Sequence, residues 1–99
     1  MCNKSTLPTP DTDTPKTCII QQAHLTDLPA FHEVFDPARP VEVDIGCGKG
    51  RFLLARATAN PGIQFLGIER LLPRVRKIDR KVQRAGLDNV RIIRLEAAY

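Results

Sequence analysis

From residue 41 onward, apolar and polar positions fall into alternating periods of two and of about 3.6. Val41-Glu42-Val43-Asp44-Ile45 alternates strictly, which predicts a strand. Gly46-Cys47-Gly48-Lys49-Gly50 is a glycine-rich turn. Arg51 to about Ala59 reads as a helix with Phe52, Leu53, Ala55 and Ala57 among its apolar residues, stopped by Asn60-Pro61-Gly62. Ile63 to Glu69 is a second strand, largely apolar and ending in a carboxylate. Leu72 to Ala85 is a second helix, with Pro73 in its first turn and Gly86 just past its end. Asn89 to Leu95 is a third strand, followed by Glu96. Strands separated by helices of this length run parallel through right-handed crossovers. The expected fold class is α/β: the first half, βαβαβ, of a doubly wound Rossmann-like sheet.

The first 40 residues lack this order. Residues 1–18 are rich in Thr and Pro and poor in apolar side chains, a composition that cannot offset ordering entropy and reads as disordered. Asp27 is a candidate cap for a short helix carrying Phe31, Val34 and Phe35 on one face, broken by Asp36-Pro37 and Arg39-Pro40. The expected organisation is an irregular extension over 1–40 and a domain over 41–99. With 99 residues in all, the chain has room for one small domain. No apolar run approaches the roughly 20 residues of a membrane span, and the N-terminus lacks the apolar stretch of a secretory signal. Three cysteines at 2, 18 and 47 have no disulfide-framework or metal spacing. The expectation is a cytoplasmic protein, with no membrane partner and no metal.

In a doubly wound sheet the ligand lies across the carboxyl ends of the strands. The glycine spacing there is GxGxG. A dinucleotide fingerprint needs a third glycine at 51, where Arg51 stands, and no Gly-Lys-Ser/Thr makes a P-loop. Asp44 puts a carboxylate beside the loop, which repels phosphate and suits a cationic ligand. Gly46 opens the turn to close approach. Glu69 ends the second strand, where an acid accepts the two hydroxyls of a ribose. Glu96 ends the third, where an acid meets an adenine amino group. An adenosine with a positive charge and no phosphate fits all three, and S-adenosylmethionine is that molecule. Each residue also has an ordinary reading: a tight turn, a cap, a surface ion pair, a solvated terminus. Cys47 reads as a small packing residue, and His24 and His32 carry no visible site.

These residues resemble a known family. Val43 to Gly50 followed by Phe52-Leu53 is similar to the first motif of the bacterial tRNA (guanine-N(7)-)-methyltransferases, and Phe65-Leu66-Gly67-Ile68-Glu69 to their second. Gly86 to Arg91, then Leu95-Glu96-Ala97, resembles the segment leading to their third cofactor contact. The resemblance covers residues 41–99. It implies S-adenosylmethionine as cofactor, tRNA as partner, and Asp44, Glu69 and Glu96 as cofactor contacts. Asp44 and Glu96 stand where the family usually has Glu and Asp, so each keeps the charge but changes the reach by one methylene. The family's Pro-Asp-Pro-Trp segment, which carries its catalytic aspartate, has no counterpart in residues 1–99. The resemblance places that segment beyond Tyr99, so no catalytic residue is expected within the chain itself. The expectation is a fragment or truncated product, inactive alone, with strand 41–45 left as an open edge.

Charge is uneven. Residues 1–40 carry a net −2 and residues 41–99 a net +6. Arg70, Arg74, Arg76, Lys77, Arg80, Lys81 and Arg84 face only Asp79 in the stretch 70–84. With Val75, Ile78 and Val82 turned to the sheet, Lys77, Arg80, Lys81 and Arg84 fall on the far side. That face is either an electrostatic footprint for RNA phosphates or a solvated surface. The rival functional class is a non-catalytic basic module that holds a nucleotide or RNA.

Overall fold

The computed structural model describes residues 17–20 and 31–95. The elements in chain order are β1 (Ile19–Ile20), α1 (Phe31–Val34), β2 (Val41–Ile45), α2 (Arg51–Ala59), β3 (Gln64–Glu69), α3 (Leu72–Ala85) and β4 (Val90–Arg94). The strands form one sheet in the order β1-β4-β3-β2, and every pairing is parallel. The βαβαβ unit expected from the sequence is therefore present as β2-α2-β3-α3-β4. Among the described strands β2 has one neighbour, β3, and is an edge.

The register decides which side chains share a face. Glu42 lies beside Phe65 and Asp44 beside Gly67, while Gly67 lies beside Ile92. This set faces the helices, where Leu53 and Ala57 of α2 and Val75, Ile78 and Val82 of α3, none of these five more than 1 % exposed, complete the core. The apolar stripe read on α3 is thus the buried one. Its ends also follow the sequence: Pro73 sits in the first turn, and Gly86 closes the helix in the left-handed region at φ 67°.

Two buried amides hold the connections. Asn89 Nδ2 faces the carbonyls of Ala57, Asn60 and Ile63 at 3.0–3.1 Å, tying the end of α2 to the start of β4. Gln64 accepts the N–H of Asp36 at 2.8 Å and donates to the Asp36 carbonyl at 2.9 Å. Buried polar groups satisfied this way cost little, and losing one partner orphans the others.

One correction concerns the extension. Thr17 and Cys18, which composition assigned to the disordered stretch, are held by the fold: Cys18 is 4 % exposed, and Thr17, though exposed, is hydrogen-bonded to α3. β1 pairs with β4, Ile19 beside Ile92 and Ile20 beside Ile93. Asp79 of α3 accepts the Cys18 N–H at 2.8 Å and the Thr17 hydroxyl at 2.9 Å. Two apolar residues thereby gain a ladder and a core that local composition does not reveal. The expected helix from Asp27 is described only over Phe31–Val34; Asp27 itself, and residues 1–16, lie outside the described residues.

Candidate functional site

The carboxyl ends of β2 and β3 meet at the glycine loop. Gly46, Gly48 and Gly50 all take positive φ, 69°, 57° and 81°. Side chains rarely adopt these angles, so glycine is required at each turn of the backbone. A Cβ on Gly50 would lie 2.9 Å from Ile78 Cγ1, so the loop also sits tight on α3. A Cβ on Gly46 would meet nothing within 4 Å, so the loop's first glycine borders open space.

The loop's amides are consumed internally. Gly46 and Cys47 both donate to the Ile68 carbonyl, at 2.7 and 3.2 Å, and Gly50 donates to the Cys47 carbonyl at 2.9 Å. Gly48 donates to Glu69 Oε1 at 2.9 Å. A phosphate cradle needs such N–H groups turned outward. Four of them are occupied here, with two carboxylates nearby, so the loop is built against a phosphate ligand.

Glu69 is 5 % exposed, and each of its oxygens accepts one backbone N–H. Its Oε2 accepts the Leu71 N–H at 3.1 Å, at the entry to α3, while Oε1 holds Gly48. The side chain locks loop to helix. An ionised carboxylate has about four lone-pair sites, so each oxygen retains one for a further donor. Asp44 is half-buried on the same face, and burial, with repulsion from Glu42 second, raises its pKa from its ordinary value. A cation beside it would favour the charged form and offset both effects. Cys47 packs against the core, and burial, then Asp44 and Glu69, push its thiol up to about 11. A thiol raised in this way disfavours the thiolate that a nucleophile needs.

The structure thus brings Asp44, Gly46 and Glu69 to one end of the sheet. Glu96 lies outside the described residues. Leu95, just before Glu96, donates its N–H to the Glu69 carbonyl at 3.1 Å. One residue inside the second motif, Gly67, has a role that the motif does not state. A Cβ on Gly67 would lie 2.8 Å from Leu53, 2.9 Å from Ile92 and 3.1 Å from Cys47 Sγ. Gly67 therefore lets α2 and the loop settle onto β3. An isolated glycine inside a strand pattern is the available signal. Among the described residues no three His, Cys, Asp or Glu side chains group to hold a metal, and no helix is long and apolar enough to cross a membrane.

The chain is 43 % identical over 67 residues to a tRNA (guanine-N(7)-)-methyltransferase of Parasynechococcus marenigrum, which covers 67 % of this chain and 28 % of that protein. A tRNA (guanine-N(7)-)-methyltransferase of Microcystis aeruginosa is 39 % identical over 66 residues, covering 66 % of this chain and 31 % of that protein. The chain thus spans less than a third of the length of these relatives. Among solved structures, PKMT2 from Rickettsia typhi in complex with AdoHcy is 32 % identical with a TM-score of 0.52, over 58 % of this chain and 11 % of that one. The family described as "Putative methyltransferase" matches residues 38–99, which include every strand-end feature above. The motif resemblance and the fold agree with that match, and the chain belongs to this methyltransferase family.

Proposed function

We propose that this chain carries the cofactor half of an enzyme that transfers a methyl group from S-adenosylmethionine to N7 of a guanine in tRNA, in the cytoplasm. The observation that carries the reading is the buried Glu69 carboxylate, held against a glycine loop whose amides are turned inward. The two remaining lone pairs of Glu69 suit the two hydroxyls of a ribose. The raised pKa of Asp44 marks a place where a cationic ligand is favoured. The open space over Gly46 admits a ligand close to the backbone. Glu96, one position past Leu95, is assigned to the adenine amino group.

The cofactor supplies an electrophilic methyl on a sulfonium. Guanine N7 has a lone pair and no proton, so the acceptor needs placement rather than a strong base. The described residues accordingly serve to position the cofactor. Glu69 and the loop hold the ribose, and Asp44 favours the positive end. No catalytic residue is assigned within residues 1–99.

Calorimetric titration with S-adenosylhomocysteine tests the reading. Binding is expected, and Glu69→Ala should weaken it about 100-fold, since two hydrogen bonds to a charged group are lost. Glu69→Gln should lie between the two. Unchanged affinity in Glu69→Ala, with the thermal transition intact, would overturn the assignment.

A further inference from the structure

The two flanks of α3 are differently used. Asp79 and Gln83 lie one turn apart on the flank toward β1, where Asp79 holds Thr17 and Cys18 and accepts from Gln83 Nε2 at 3.2 Å. The helix's only acid is therefore spent on the fold. On the other flank Arg74, Lys77, Lys81 and Arg84 follow one another at spacings of three, four and three residues. That repeat keeps them in one row about 15 Å long. The row borders a groove between α2 and α3 lined by Leu54, Thr58, Lys81 and Arg84. Its upper half reaches the glycine loop: Lys81 Nζ donates to the Lys49 carbonyl at 3.1 Å, and Arg74 NH1 lies 3.9 Å from where a Gly48 Cβ would be. Glu42 pairs with Arg56, Glu69 with the loop and Asp79 with β1, so these three acids are engaged away from the row.

Lys77 and Lys81, like charges four apart, work weakly against the helix, which favours a use for the row beyond solvation. Nor does the helix suit a lipid surface. A membrane-surface helix turns its apolar face to the bilayer, but Val75, Ile78 and Val82 are wholly buried in this protein's own core. We propose that the Arg74-Lys77-Lys81-Arg84 row is a track for the phosphate backbone of RNA, leading along the α2–α3 groove to the glycine loop. The inference rests on the tRNA reading above and gives it a surface. With no aromatic side chain in the row to stack on bases, the contact is to backbone and carries little sequence information.

The test is the affinity of the full chain for an unmodified tRNA transcript, measured against salt by fluorescence anisotropy. Lys77→Gln/Arg84→Gln should lower affinity at least about tenfold at moderate salt and flatten the slope of log affinity against log salt by roughly two. Arg76→Gln/Arg91→Gln removes the same charge elsewhere, from exposed residues off the row. It should leave the slope nearly unchanged. Equal losses in both doubles would mean that net charge alone attracts the RNA, and would overturn the track. Lys77→Gln alone, which leaves the helix's packing untouched, should flatten the slope by about one and guards against misfolding of the double. Binding to phosphatidylserine vesicles but not to tRNA would also overturn it. Titration with S-adenosylhomocysteine in the same variants separates the two readings. An intact cofactor response without RNA binding refutes the track alone, whereas RNA binding through the row without any cofactor response refutes the methyltransferase reading and leaves the track standing.

Discussion

The two faces of the sheet are built from similar residues and end in different states. On the helix side, Phe65, Val90 and Ile92 are at most 3 % exposed beneath α2 and α3. On the other side the register aligns Val43 with Leu66, and Ile45 with Ile68 and Ile93. There Val43 is 49 % exposed and Ile45 66 %, although Ile93 is buried. Parallel sheets are almost always covered on both faces. The contrast shows that hydrophobic patterning and burial are separable. β2 has the alternation of a half-buried strand, yet its apolar side faces away from the helices and its acids face toward them. Glu42 meets Arg56 of α2 there, at 2.6 Å, and Asp44 arrives at the glycine loop. The inversion of β2 is thus what delivers a carboxylate to the site.

The sharpest probe of this contrast is a matched truncation on the covered side. Ile78 is fully buried, and its side chain fills the space against Gly50. Ile78→Ala should cost about 2–5 kcal/mol, lost methylenes plus a cavity. In a domain this small that is a large part of the total stability. Urea denaturation followed by circular dichroism reads it directly. A cost below about 1 kcal/mol would mean that the helix layer is not the stabilising core.

The covered side is largely legible in the sequence, because period-two strands and a 3.6-residue stripe are local patterns. Leu72 to Ala85 is bounded by Pro73 and Gly86 for reasons that act within one turn. β1 and the two residues before it are not legible, since β1 pairs with Ile92 and Ile93 while Thr17 and Cys18 bond Asp79, all more than 60 residues away in the chain. The site divides the same way. Asp44, Gly46 and Glu69 can be placed from strand ends and glycine spacing. That the loop spends its amides on Ile68, Cys47 and Glu69 is a matter of three-dimensional hydrogen bonding, as is the close packing that demands glycine at 67.

A smaller effect is expected where β1 joins the covered layer. Burial works against the charge on Asp79, but hydrogen bonds from the Cys18 N–H, the Cys18 thiol, the Thr17 hydroxyl and Gln83 outweigh it and hold its pKa below the usual value. A depressed folded pKa contributes stability that is fully present above the unfolded value, near 3.9, and is lost as pH falls through the folded one. Asp79→Asn should therefore lower the melting temperature at pH 7 by less than Ile78→Ala does. The gap from the unmodified protein should narrow below about pH 4. A gap that stays constant down to pH 2 would show that the charge on Asp79 is not what ties β1 to α3.

The smallest effect is predicted on the open face, and it decides whether the contrast holds in solution. Ile45→Thr keeps β-branching, so strand preference is retained while the apolar tip is lost. At a site 66 % exposed, little apolar area leaves or enters water on unfolding, and the change should stay within about 0.5 kcal/mol. The same denaturation should be run at two protein concentrations. If Ile45→Thr cost several times more, and the cost grew with concentration, a second copy of the chain would be covering this face. The faces would then differ only in which molecule supplies the cover, and the exposure of Val43 and Ile45 would describe the lone chain rather than its state in solution.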